Sequence, residues 1–175
     1  MTPDNDDSSG NVYHGLRETV TPPDRQVVAD ILLSTGVFFD SEIAIGVELL
    51  DERLAKGPSS GYHFVFAIQD GREVGYACYG PIPLTRGSYD LYWVAVCKEA
   101  QQQGLARRLL RAVEQRIAEA GGRIVYIETS SRTPYAAARA FYRRCGYEQV
   151  AVLRDFYAPG DDKVIFAKGV DRPAT

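Results

Sequence analysis

Little in this sequence can hold a metal or carry redox chemistry. It has three cysteines and two histidines. Cys78, Cys97 and Cys145 form no C-x-x-C pair, and neither His14 nor His63 stands at a spacing that would complete an ordinary zinc site with them. The expectation is no metal, reduced structural thiols, and a cytoplasmic protein. Long hydrophobic runs are also missing. Nothing approaches the roughly 18 to 20 apolar residues that cross a bilayer, and Met1 to Gly10 is acidic and polar rather than basic then apolar. A membrane partner and secretion are therefore not expected. There is no surplus of positive charge, since 20 Lys and Arg face 23 Asp and Glu for a net charge of −3. That balance excludes the overall basic field of a general nucleic-acid binder. Neither G-x-x-x-x-G-K-[ST] nor G-x-G-x-x-G occurs, which removes the common triphosphate and dinucleotide loops.

What remains is a chain of 175 residues, 45% apolar and 25% charged, enough for one core and little more. Residues 1–11 are polar and cannot offset their ordering entropy by burial, so a tail is expected there, with one domain over 12–170 and a short tail at 171–175. A first strand is placed between Val12 and Val20. Thr21-Pro22 starts a helix that runs to about Ser34 and stops at Gly36. Ile43, Val47, Leu50 and Leu54 make one stripe of a second helix ending near Lys56-Gly57-Pro58. Tyr62 to Ile68 and Glu73 to Tyr79 read as a hairpin around Asp70-Gly71, and Tyr89 to Val96 as a third central strand. Leu105, Leu109, Val113 and Ile117 define a helical face that ends at Gly121-Gly122. Ile124 to Ile127 is a short buried strand, Pro134 to Arg144 a helix stopped at Gly146, and Glu148 to Arg154 and Lys163 to Lys168 two last strands. The order β-α-α-β-β-β-α-β-α-β-β implies a mixed α/β sheet covered by helices.

Between the strand ending at Val96 and the helix carrying Leu109 lies Gln101-Gln102-Gln103-Gly104-Leu105-Ala106. A glycine there allows close approach of backbone to a ligand, and the first helical turn presents free N–H groups at the positive end of the helix dipole, a geometry suited to a diphosphate. An ordinary strand-to-helix turn has the same appearance. Arg107, Arg108 and Arg111 add cations, as a solvated helix face also would.

Gln101-x-x-Gly104-x-Ala106 after Val94-Ala95-Val96, followed by Ala138-x-x-x-Tyr142-x-x-x-Gly146-Tyr147, resembles the GNAT superfamily of N-acetyltransferases. The resemblance covers about Val12 to Val170 by element order. It implies a seven-stranded mixed sheet with about four helices, in which two parallel strands, ending near Val96 and Glu128, splay apart. Acetyl-CoA would be the cosubstrate, with no metal. Its pantetheine would pair with the backbone of Val94, Ala95 and Val96, and its diphosphate would lie on the amides of Gln102, Gln103, Gly104, Leu105 and Ala106, flanked by Gln101 and Arg107. Tyr142 would donate a proton to the departing thiolate, and a backbone N–H near Val96 would stabilise the oxyanion.

The general base is less direct. Many family members carry Glu on the strand before the diphosphate turn, where this chain has Tyr92. Asp90, which simple alternation puts on the same face as Tyr92, Val94 and Val96, and Glu128 are the candidates. Phe38, Tyr92 and Tyr157 stand in the three segments that the family fold brings to the acceptor side, and their aromatic bulk points to an enclosed pocket. Trp93 and Phe156 are expected to be buried in the sheet. The reading is direct transfer of an acetyl group to a primary amine of a small molecule, with a homodimer left open. Two rivals stand: a CoA-binding sensor without catalysis, and an enzyme that acetylates proteins or peptides.

Overall fold

The Thr21-Pro22-Pro23-Asp24 step fixes how the chain enters its first helix. In the structure, a computed structural model describing residues 14–170, α1 spans Asp24–Thr35. The Asp24 carboxylate accepts hydrogen bonds from the Thr21 N–H (2.7 Å) and hydroxyl (3.0 Å). It also pairs at 2.7 Å with Arg17 of β1 (His14–Arg17), which reaches Glu73 at 2.9 Å. Burial works against the charge of Asp24, but these partners hold its carboxyl below the ordinary range. β1 ends at Arg17, opposite Phe66 of the next strand, three residues before the predicted end at Val20. The proposed tails at 1–11 and 171–175, and Val12, lie outside the described residues.

α2 (Asp40–Lys56) begins where Glu42 accepts a hydrogen bond from the Phe39 N–H at 2.7 Å. Its apolar stripe packs on α1, and Leu50 is fully buried with Val28, Ile31, Leu32, Phe64, Phe66 and Tyr76. β2 (His63–Gln69) and β3 (Arg72–Pro81) form the hairpin read from Asp70-Gly71, with φ of 49° and 77° at those two residues. β4 (Ser88–Val96), α3 (Leu105–Glu119), β5 (Ile124–Ser130), α4 (Ala136–Arg144), β6 (Glu148–Ala158) and β7 (Asp161–Gly169) complete the chain.

The seven strands form one sheet in the order β1-β2-β3-β4-β5-β7-β6, and β4 with β5 is its parallel pair. The core under α1 and α2 takes Phe64, Phe66, Tyr76, Cys78 and Ala95 from the sheet. The opposite face gives Val65, Ala77, Leu91, Val96, Val125, Ile127 and Phe166 to a core shared with Leu109, Val113 and Ile117 of α3 and Tyr142 of α4. β5 runs three residues past the apolar stretch that predicts it, because Glu128, Thr129 and Ser130 pair with Ile165, Val164 and Lys163 of β7.

Candidate active site

β4 and β5 start together and part. Their parallel register runs from Ser88 opposite Ile124 to Leu91 opposite Ile127 and stops. β4 then continues through Tyr92–Val96 paired only to β3 on its other side. The five-residue edge so exposed includes Val94, Ala95 and Val96, and its backbone groups toward β5 need partners. This is the splay that the family resemblance implies.

The turn after β4 is anchored from within. The Gln101 side-chain amide donates to the Val96 carbonyl (3.1 Å), and Gln69 donates to the Gln103 side-chain oxygen (3.1 Å). Gln102 (φ 63°) and Gly104 (φ 80°) both adopt left-handed backbone, which folds the turn tightly over the start of α3. No side chain caps this helix, and its first backbone bond is Arg108 N–H to the Gly104 carbonyl (3.0 Å). The N–H groups of Leu105, Ala106 and Arg107 therefore point out of the helix end. A Cβ added at Gly104 would meet nothing within 4 Å, so the glycine answers to backbone conformation and leaves open space above the turn. Arg107 reaches the Arg144 carbonyl at 3.3 Å and lies along a groove with Arg111, Arg144 and Lys168.

The acidic pair depends on a bulge. Cys78 opposes Trp93 while Tyr79 opposes Leu91, so Tyr92 is an extra residue in β4. Tyr89, Leu91, Val94 and Val96 face the α3 side, and Tyr92, Trp93 and Ala95 face α1 and α2. Simple alternation is thus corrected: Asp90 shares its face with Tyr92 but not with Val94 or Val96. Asp90 opposes Tyr126 of β5, and Glu128, two residues on, lies on that same face. Burial, then the charge of Glu128, raise the Asp90 carboxyl to about 6, against a pull from Lys163. Tyr92 is pushed up to about 12 by burial and by Asp90, and its ring lies 5.3 Å from Tyr62.

On the β5–β7 side of the splay, Glu128 forms an ion pair of 2.5 Å with Lys163 of β7. The Lys163 ammonium sits 3.7 Å over the Phe156 ring and 5.8 Å from that of Tyr157. Phe156 is 51% exposed, against the expectation that it is buried, because the β6 edge bulges away from β7 between Leu153 and Ala158. Trp93 is only partly buried, packed against the α1–α2 core. Phe38 packs edge-on to Tyr135 at 6.0 Å, the Tyr135 hydroxyl donates to Glu42 at 2.6 Å, and Arg132 lies 4.2 Å over Phe39 and 3.3 Å from Asp161. These contacts tie the α1–α2 loop, the loop before α4 and the last hairpin to one side of the sheet. The aromatic wall is more open than the sequence implies, with Tyr157 at 48% exposed. Arg132, Tyr135 and Lys163 are its residues that sequence reasoning misses, whereas Glu42 lies in the 38–42 segment expected on the acceptor side.

Tyr142 is buried on the α3 side, its ring 5.8 Å from Phe166 and 6.2 Å from Tyr147. Phe166 opposes Ile127, the last β5 residue paired to β4, so Tyr142 stands one ring behind the point where the strands part. Burial pushes its phenol well above the ordinary range, which keeps it a proton donor. Burial likewise raises the thiols of Cys78 and Cys97. Among the described residues no cluster of side chains could hold a metal ion, and no helix is long and apolar enough to cross a membrane.

Comparison with known proteins agrees with this geometry. Residues 60–149, just over half of the chain, match the acetyltransferase (GNAT) domain family. An uncharacterized N-acetyltransferase of Methanocaldococcus jannaschii is 32% identical over 108 residues, or 60% of this chain and slightly less than two thirds (65%) of that protein. A crystal structure assigned to the GNAT acetyltransferases, from Desulfovibrio desulfuricans, is 45% identical with a TM-score of 0.88, covering 91% of this chain and all of that one. An aminoglycoside 6'-N-acetyltransferase complexed with coenzyme A (18% identical, TM-score 0.71, 92% and 99% covered) shares the fold. So does the ribosomal-protein-alanine N-acetyltransferase of Brucella melitensis (22%, TM-score 0.71, 89% and 99%). On the matched domain, the 45% identity and the splayed parallel pair together, this chain belongs to the GNAT family of acetyltransferases.

Proposed function

We propose that the protein moves the acetyl group of acetyl-CoA directly to a primary amine of a small molecule, both substrates being bound at once. The observation that carries this reading is the end of β4–β5 pairing at Leu91 and Ile127, beside a helix start with outward N–H groups. A pantetheine arm carries two amides and would complete the open edge at Val94, Ala95 and Val96 as an added strand does. The diphosphate would then lie on the amides of Gln102 to Ala106, with Gln101 bracing the turn and Arg107 beside it.

The amine nitrogen attacks the thioester carbon, the C–N bond forms and the C–S bond breaks. The oxygen's developing charge is met by a backbone N–H near Val96. Asp90, on the acceptor face, takes the proton of the amine directly or through one water, and Tyr142 gives one to the thiolate. Phe38, Tyr92 and Tyr157 form the wall that shields the amine. Direct transfer is supported by the raised thiols of Cys78 and Cys97, which make poor nucleophiles.

A second reading, transfer to a protein N-terminus, has the half-exposed Phe156 and Tyr157 in its favour, since an open rim admits a chain. Thiol release from acetyl-CoA with phenethylamine, putrescine, kanamycin and alanyl peptides as acceptors separates the readings. Turnover with small amines supports the proposal, turnover with peptides alone moves it to the second reading, and tight CoA binding with no turnover makes the protein a sensor.

A further inference from the structure

We propose that Lys163 divides the work of the two carboxylates: by engaging Glu128 it leaves Asp90 as the proton acceptor. The inference rests on the acetyl-transfer reading and deepens it. Asp90 and Glu128 stand on one face of adjoining parallel strands, and the charge of Glu128 disfavours ionisation of Asp90; two carboxyls so placed and left alone tend to share a proton rather than offer one ready base. Lys163 breaks the symmetry. It opposes Ser130 across the β5–β7 ladder, which sets it on the same face as Glu128, and its ammonium closes on the Glu128 carboxylate at 2.5 Å.

Burial argues that the contact is more than a surface ion pair. The Lys163 side chain is only 13% exposed, whereas Glu128 is 48% exposed. An ammonium taken that far from water needs a counter-charge, and Glu128 with the Phe156 and Tyr157 ring faces supplies it. Lys163 is thus engaged by Glu128, while among the described residues no cation forms an ion pair with Asp90. Charged and titratable groups toward Asp90 are Tyr92 on its own strand, Tyr126 and Glu128 on β5, and Lys163 on β7. Tyr157 of β6 faces Glu128, with the charges of Asp161 and Glu42 beyond it. β3 brings only Gly80 opposite. The balance of burial and Glu128 against Lys163 leaves Asp90 at about 6, ionised at neutral pH yet basic enough to accept a proton. Lys163 is a positioning residue in this scheme, since it acts through Glu128 and by its charge.

The test is a carboxyl-carbon NMR titration of Asp90 in the full chain, which needs no turnover, for wild type, Lys163→Met, Lys163→Arg and Glu128→Gln. Lys163→Met is expected to raise the Asp90 midpoint by about one pH unit, Lys163→Arg to restore it, and Glu128→Gln to lower it. The acid limb of kcat/KM, measured with whichever of phenethylamine, putrescine or kanamycin is turned over, should move by the same amounts. An unmoved midpoint in folded Lys163→Met, or equal shifts in Lys163→Met and Lys163→Arg, overturns the proposal. Should Lys163→Met not fold, an unmoved midpoint in Glu128→Gln overturns it instead. If none of the amines is turned over, the acetyl-transfer reading fails, while the NMR midpoints still decide the role of Lys163.

Discussion

Gly104 offers the sharpest test of the cofactor turn, because its two contributions separate by substitution. Its φ of 80° is left-handed and its Cβ direction is empty to 4 Å, so Gly104→Ala introduces backbone strain without a clash. That strain costs about 1 to 2 kcal/mol, borne by the free and the bound protein alike, so stability falls while CoA affinity changes little. Gly104→Asp adds a negative charge at the helix start where diphosphate oxygens would approach. Two unit charges at about 6 Å in a medium of effective dielectric near 40 repel by about 1.4 kcal/mol, and more than one phosphate oxygen is in range. A loss of roughly 10- to 100-fold in CoA affinity relative to Gly104→Ala follows. Calorimetry with CoA on both variants, after thermal melts show each folded, measures it. The difference should shrink in about 1 M salt, where the Debye length falls to about 3 Å. If Gly104→Asp binds CoA as tightly as Gly104→Ala at low salt, the diphosphate does not lie on this turn.

Tyr142→Phe keeps the ring packing on Phe166 and removes the hydroxyl, so CoA affinity should hold while kcat falls by about 10²- to 10⁴-fold; an unchanged kcat with rate-limiting chemistry would return Tyr142 to a purely packing role. Asp90, raised to about 6, should give kcat/KM an acid limb that falls below that pH as the carboxylate protonates, and Asp90→Asn should abolish the limb along with most of the rate. The same shift has a stability consequence: a carboxyl raised on folding penalises the native state above about pH 6 and loses that penalty as pH falls toward its unfolded value. Asp90→Asn should therefore raise Tm at pH 7 and leave it unchanged near pH 4. Gly80→Ala would bring a Cβ to 2.0 Å from the Gly61 carbonyl oxygen, a backbone atom that cannot swing aside, and should lower stability by about 2 kcal/mol or more in chemical denaturation.

Elements set by local chemistry were legible from residues alone. The α2 stripe of Ile43, Val47, Leu50 and Leu54, the Asp70-Gly71 hairpin and the Gly36 and Gly146 stops are each fixed by neighbours a few positions away. The turn proposed for the cofactor was legible as a turn for the same reason, since Gln101 to Ala106 is one contiguous stretch whose glycine and helix start act locally. Where the acceptor groups point was decided by tertiary structure. The bulge at Tyr92 arises from how β4 pairs with β3, and it alone turns Val94 and Val96 away from the face of Asp90. Alternation in one strand cannot register an extra residue that only the partner strand reveals. Likewise the Lys163–Glu128 pair joins residues far apart in the chain through the β5–β7 register, and Phe156 is exposed because β6 is an edge strand that leaves the ladder after Leu153. Pairing between strands, a non-local event, therefore chose the face of the acid and the partner of its neighbour, while the identity of the fold and the turn proposed to seat the cofactor were already written in short-range pattern.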